Sequence, residues 1–231
     1  MRRVLRYLEI PALIAVPVVL GLCAALQVRE TAVLTLVVVS AALVIFFASF
    51  EAGKPALRQI MPTVVLAALA ASGRMLFWAV PNFKPVSAIC IVAGVVFGRR
   101  AGFMVGALAA FVSNFFFGQG PWTPWQMYAW GMIGYFAGVL ANHLSMDSLT
   151  NRVVLYMYGF SSAFLFGILL NTYYLIGFIQ PLTWQTATIA YGASFIFDVT
   201  HGIATVSFLA LIYAPWRKKL ERIKLKYALD T

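Results

Sequence analysis

Long uninterrupted apolar stretches recur along the chain, separated by short breaks that carry charge, proline or glycine. They lie near residues 10–28, 31–50, 62–80, 86–97, 101–117, 124–141, 153–178 and 187–213. About 20 helical residues, rising 1.5 Å each, cross the roughly 30 Å hydrocarbon core of a bilayer. Continuity without a two-residue alternation predicts helices rather than the strands of a membrane barrel. With 62% of 231 residues hydrophobic and only 10% charged, the chain is too apolar for water. A soluble globular enzyme, a disordered chain and a receptor with a large extramembrane domain are all excluded. The predicted fold is all-α, a polytopic membrane helix bundle with eight spans. The first run is too long, and its Arg29-Glu30 flank too charged, for a cleaved signal peptide, so it counts as a span. The fourth is short, and part of 81–85 is expected to dip into the membrane.

The net charge of +10 becomes an orientation marker in such a chain. Of the 17 Lys and Arg, only Arg29 and Lys84 fall in one set of loops, and Arg74 falls within a span. The rest gather in the opposite loops and in the tail after Pro215. Positive charge marks the cytoplasmic side, so both termini are predicted inside. The tail, WRKKLERIKLK, reads as a snorkelling anchor against anionic headgroups and not as a nucleic-acid site. Cys23 and Cys90 sit in separate spans and imply no disulfide framework.

The largest internal break, 51–61, carries Gly53, Lys54 and Pro55. It divides the chain into a two-helix membrane hairpin with its loop (1–61), a six-helix core (62–213) and a basic tail (214–231). The hairpin reads as featureless Leu, Val and Ala with no buried charge, which places function after Met61.

Three ionisable residues fall inside spans, namely Arg74, Asp198 and His201. A charge near mid-bilayer costs about 2.5–3.5 kcal/mol on insertion scales, so each must face a partner or a cavity. Asp198 and His201 are three apart and share a helix face, where they would anchor a substrate or relay a proton. Pairing of Asp198 with His201 or with Arg74 would serve packing alone. Two ligands without a third make no metal site. Residues 114–130, NFFFGQGPWTPWQMYAW, join Gly118, Gly120, Pro121 and Pro124 to aromatic rings and the amides Gln119 and Gln126. Such a loop is rigid, with Pro124 suited to the first turn of the next helix. An aromatic belt alone would explain the tryptophans. The glycine-proline scaffold and amides suit an enclosed site for a planar, polar-edged ligand. Two further loops, 80–85 and 180–185, join proline to an aromatic and an amide at the same end, near Asn171, Tyr173 and Tyr174. Small residues recur at four-residue spacing, Ala67 with Ala71 and Gly134 with Gly138, and let neighbouring backbones approach closely. No nucleotide-binding loop, nucleophile elbow or zinc-peptidase motif is present, and no inverted repeat of a self-sufficient carrier.

The segment 62–213 resembles the substrate-binding (S) component of energy-coupling-factor (ECF) transporters, the vitamin importers of prokaryotes. The resemblance rests on the Ala67/Ala71 stripe, the turn PNFKP from Pro81 to Pro85, the run FGRRAGFMVGALAAFVSNFFFGQGPWTPWQM from Phe97 to Met127, and Asp198 with His201. It implies a multi-pass protein of a prokaryotic cell membrane that captures a vitamin outside and topples to deliver it. Its implied partners are a membrane-embedded coupling subunit, docked through Ala67 and Ala71, and two ATPase subunits. The protein would not itself be an enzyme, and no cofactor would be permanently bound, the vitamin being cargo. The expected substrate-binding residues are Asn82, Phe83, Lys84, Asn114, Gln119, Trp122, Trp125, Tyr128, Asn171, Tyr174, Trp184, Asp198 and His201. Within the family the chain looks most like the cobalamin type, with pantothenate, thiamine, riboflavin or a queuine-like base as alternatives. The competing readings are a proton-coupled carrier or intramembrane enzyme using Asp198 and His201, and a scaffold without a ligand.

Overall fold

The computed structural model describes residues 2–26, 31–52, 57–144 and 148–227. Arg29, Glu30, Gly53, Lys54 and Pro55, named above, lie outside them. Among the described residues every regular element is a helix: α1 (Arg2–Leu26), α2 (Thr31–Ala52), α3 (Leu57–Leu76), α4 (Val86–Phe97), α5 (Arg99–Phe117), α6 (Thr123–His143), α7 (Leu149–Phe178) and α8 (Trp184–Lys226). The all-α bundle predicted from the apolar runs is the observed one.

Not every helix matches a full span. Among the described residues five are long and apolar enough to cross a membrane: α1, α2, α5, α7 and α8. At 12 residues α4 is about 18 Å long, well short of the bilayer core. Its side chains are buried almost without exception, so it is the central post of the bundle. Burial on all sides explains why it reads as a uniformly apolar run. Where α4 meets α5 and α6 the backbones touch. A Cβ on Gly94 would lie 2.1 Å from the Gly134 carbonyl oxygen, and one on Gly134 would lie 2.2 Å from that of Gly102. Glycine is therefore the residue that fits at this crossing, and the Gly134/Gly138 stripe is internal packing.

The hairpin differs from its sequence reading. Glu9 of α1 is 0% exposed. It accepts hydrogen bonds from the Ser49 hydroxyl of α2 and, at 2.5 Å, from Arg100 Nε at the start of α5, with Arg99 Nη2 3.8 Å away. A carboxylate nine residues from the start was hidden among charged neighbours, so its burial left no trace in the local pattern. The hairpin also shares a core with the rest of the chain. Phe46 stacks on Phe103 at 3.9 Å, and Tyr128 donates its hydroxyl proton to the Leu13 carbonyl at 2.6 Å. Glu9, Ser49, Arg99 and Arg100 place the start of α1, the end of α2 and the α4–α5 turn at one end of the bundle. The loops 77–85, 118–122 and 179–183 occupy the other end.

The boundary expected at 213 falls inside α8, which runs unbroken from Trp184 to Lys226 through Pro215. Proline removes one backbone donor, but the helix continues on either side. Tyr213 and Leu209 are buried in the main core, and Trp216 and Leu220 pack against it. The basic residues beyond thus continue a helix already anchored.

Candidate functional site

The shortness of α4 makes the site. His201, midway along α8, bonds through Nε2 with the Ser87 hydroxyl in the first turn of α4 at 2.7 Å. From that level α8 extends about 25 Å further, back to Trp184, with α7 beside it. The α7–α8 pair therefore overhangs the point where α4 stops, and the loop 77–85 folds under it. The start of α8 is fixed by a capping box, with Thr183 Oγ1 accepting from the Thr186 amide at 3.2 Å and Thr186 Oγ1 accepting from the Thr183 amide at 2.9 Å.

Between these elements lies a cavity of about 240 Å³. Its lining is Asn82 from the loop, Phe166, Gly167, Leu170 and Asn171 from α7, and Ser194, Phe197, Asp198 and His201 from α8. Spacings of three and four residues set each group on one helix face. Asn82 has a φ of 54°, a left-handed conformation that asparagine tolerates better than most residues, and this turns the loop beneath the overhang. Asn171 donates from Nδ2 to the Ser194 hydroxyl at 2.7 Å, tying α7 to α8 across the cavity wall.

Four of the expected residues therefore meet in one place: Asn82, Asn171, Asp198 and His201. The pairings proposed for the buried charges are not the observed ones. His201 bonds to Ser87, and Ser87 Oγ in turn accepts from Trp130 Nε1 at 3.2 Å. Arg74 does not pair with Asp198 but donates to Ser113 Oγ at 2.7 Å and Asn114 Oδ1 at 2.6 Å. Its guanidinium lies over the rings of Phe117 and Trp130, 4.5 Å and 4.9 Å from their centroids. Aromatic faces and neutral acceptors, not a carboxylate, compensate this cation.

The other expected binding residues lie away from this cavity. Asn114 is buried and donates to Thr123 Oγ1 and Gln126 Oε1. Gln119 closes the same loop by donating to the Phe111 carbonyl and accepting from Thr123. Trp125 and Tyr128 are buried under the α1–α2 hairpin, and Trp125 stacks on Tyr173 at 5.1 Å. Phe83 packs on Phe77 and Phe208. Lys84 donates to the carbonyls of Phe77, Trp78 and Val80, capping the end of α3. Trp122, Tyr174 and Trp184 are exposed, the last at 88%, as a belt residue would be. None of these lines the cavity. The rigid tryptophan loop is real, with Gly118 at a φ of 97° and Pro124 in the first turn of α6. Its hydrogen bonds join α5 to α6.

Sequence reasoning missed Phe166, Gly167, Leu170, Ser194 and Phe197. Four are apolar and look like any lipid-facing residue, while Ser194, four residues before Asp198, was the legible signal. Ala67 and Ala71, the expected docking contact, are 3% and 1% exposed and turned into the bundle. The small residues that the same helix leaves open are Ala68 and Ser72, flanked by Val64 and Val65. Beside them, α3 and the end of α8 enclose a groove of about 940 Å³ with Met61, Val65, Leu69, Trp216 and Ile223 in its walls. Arg58, Lys218, Lys219 and Arg222 line it as well. Among the described residues, no group of three His, Cys, Asp or Glu is placed to hold a metal ion.

The chain matches the family model described as ECF-type riboflavin transporter, S component, over residues 54–215, which takes in α3 to α7 and most of α8. It is also 33% identical over 184 residues to a UPF0397 protein of Vibrio atlanticus, covering 71% of this chain and 94% of that protein. No solved structure matches it.

Proposed function

The chain belongs to the S-component family of ECF-type transporters, and from that premise we propose that it captures a vitamin-sized ligand for an ATP-driven importer. The observation that carries this reading is the cavity beneath the α7–α8 overhang, where Asn82, Asn171, Asp198 and His201 converge. A membrane bundle with a small polar cavity at one end, and no nucleotide motif of its own, suits a capture subunit that borrows its energy. Its partners would be a coupling subunit and two ATPases, as S components of the family use.

Cavity size bears on the cargo. At about 240 Å³ it lies below the roughly 300–1,000 Å³ usual for drug-sized ligands. That favours a vitamin or precursor of one or two rings over the corrinoid suggested by resemblance. The riboflavin of the family description is a candidate on the same footing as the other small vitamins. Docking on the coupling subunit would use the open face of α3, with Val64, Val65, Ala68 and Ser72, and the adjoining groove. Close approach of small residues is the main source of helix association in lipid, and this face offers it. The cavity end would face outward and the basic end inward.

The test is purification of the tagged full chain from its native membrane, with uptake measured in the same cells. A coupling subunit and two ATPases in fixed proportion, with uptake that stops when ATP is depleted, is the expected result. Uptake driven by a proton gradient without those subunits would instead favour a carrier acting through Asp198. The bonding of His201 to Ser87 and not to Asp198 speaks against that second reading.

A further inference from the structure

We infer that the ligand of the α7–α8 cavity presents a positively charged N–H donor edge, of amidine or protonated ring-nitrogen type, on a small planar ring. This deepens the capture function proposed above and rests on it. Asp198 is the only acid among the described lining residues, and no Lys or Arg is among them. It takes part in no hydrogen bond or ion pair among the described residues, whereas the buried Glu9 and the buried Arg74 both have partners. A carboxylate within a membrane-spanning helix must face a partner or a cavity, and this one faces a cavity. The wall is shaped around it, since a Cβ on Gly167 would lie 2.2 Å from Asp198 Oδ1.

Asn171 commits one Nδ2–H to Ser194, and the Ser194 hydroxyl donates to the Tyr191 carbonyl at 3.0 Å. Asn171 keeps its Oδ1 acceptor and one further Nδ2–H for a ligand, on the helix facing the carboxylate. The one charged group of the described lining, Asp198, is an acceptor; it calls for donors on the ligand and opposes an anion, with no Lys or Arg among the described lining residues to offset the repulsion. Phe166 and Phe197 supply apolar walls on which a flat cationic ring can stack. The volume holds the ring to about the size of a single or fused heterocycle.

The test uses three probes of one shape and different charge, benzamidine, benzamide and benzoate, against the purified full chain in detergent micelles. Binding is read by calorimetry and by the shift in Tm. Benzamidine should bind on the order of tenfold or more tighter than benzamide, the ratio that a charge-assisted hydrogen bond supplies, and benzoate should not bind. D198N should bring benzamidine down to the level of benzamide. Removing an unpaired charge from a membrane span should leave Tm unchanged or higher, so loss of folding will not mask the result. G167A keeps the charge but places a methyl group against the carboxylate, and it too should weaken benzamidine. The inference is overturned if benzamide or benzoate binds as well as benzamidine. It fails equally if D198N leaves the preference intact, or if none of the three binds up to millimolar concentration. Should the ATPase partners be found and benzoate be preferred, only the charge assignment fails. Should benzamidine be preferred by a chain without those partners, it is the transport reading that fails.

Discussion

Glu9 holds a carboxylate out of reach of solvent against Arg100, whose own side chain is 25% exposed, and this asymmetry decides which loss the protein tolerates. Arg100→Ala leaves a buried anion with the Ser49 hydroxyl and, as its nearest cation, the more distant Arg99, and should lower stability by about 3 kcal/mol. Glu9→Ala leaves a cation that water can still reach, and should cost about half as much. The double variant should be more stable than R100A alone. Thermal unfolding of the four proteins in one detergent checks the ranking, and equal losses from the two single changes would contradict it. None of this was legible in the sequence, where Glu9 stands among charged residues at a span's edge, as surface acids commonly do. Asp198 and His201 were legible for the opposite reason: a charge inside an apolar run has few places to go. Which partner each charge would choose was not readable, because Ser87, Ser113 and Asn114 come from helices whose neighbours only tertiary packing decides.

At the level of the helix, α3 carries two faces that its sequence does not tell apart. Ala67 and Ala71 pack inward, and Ala68 and Ser72 face outward one position along. A stripe of small residues signals close approach but not whether the neighbour is another part of the same chain. Ala67→Trp should therefore overpack the bundle, costing about 1–3 kcal/mol, and reduce Tm and ligand binding together. Ala68→Trp should leave both intact while abolishing co-purification with the coupling subunit and uptake. Measuring Tm, binding and uptake for the pair separates the faces, and the reverse pattern would return docking to Ala67. The helices themselves were legible from apolar run length, α4 included. That α4 is a buried post instead of a span follows from the loop 77–85 turning back early, which Asn82 and the capping Lys84 secure.

For the molecule as a whole, sidedness is open to direct measurement. Cys23 and Cys90 are buried and should react poorly with maleimides. Trp184→Cys should be labelled by a membrane-impermeant maleimide in intact cells, and Lys226→Cys only after the cells are opened. The reverse would invert the orientation drawn from the charge distribution. The charge distribution predicts a side for each loop because lipid sorts positive charge. The cavity was readable only in part, since its position depends on three helices ending at different heights. One of these, α8, links its two ends mechanically. Asp198 and Lys226 stand about 42 Å apart along one helix axis. Were α8 to pivot at the cavity, a tilt of about 5° would sweep the far end through roughly 4 Å. Any such pivot would couple the small chamber to the basic tip by leverage, against the core packing of Leu209, Tyr213, Trp216 and Leu220 that anchors the helix between them.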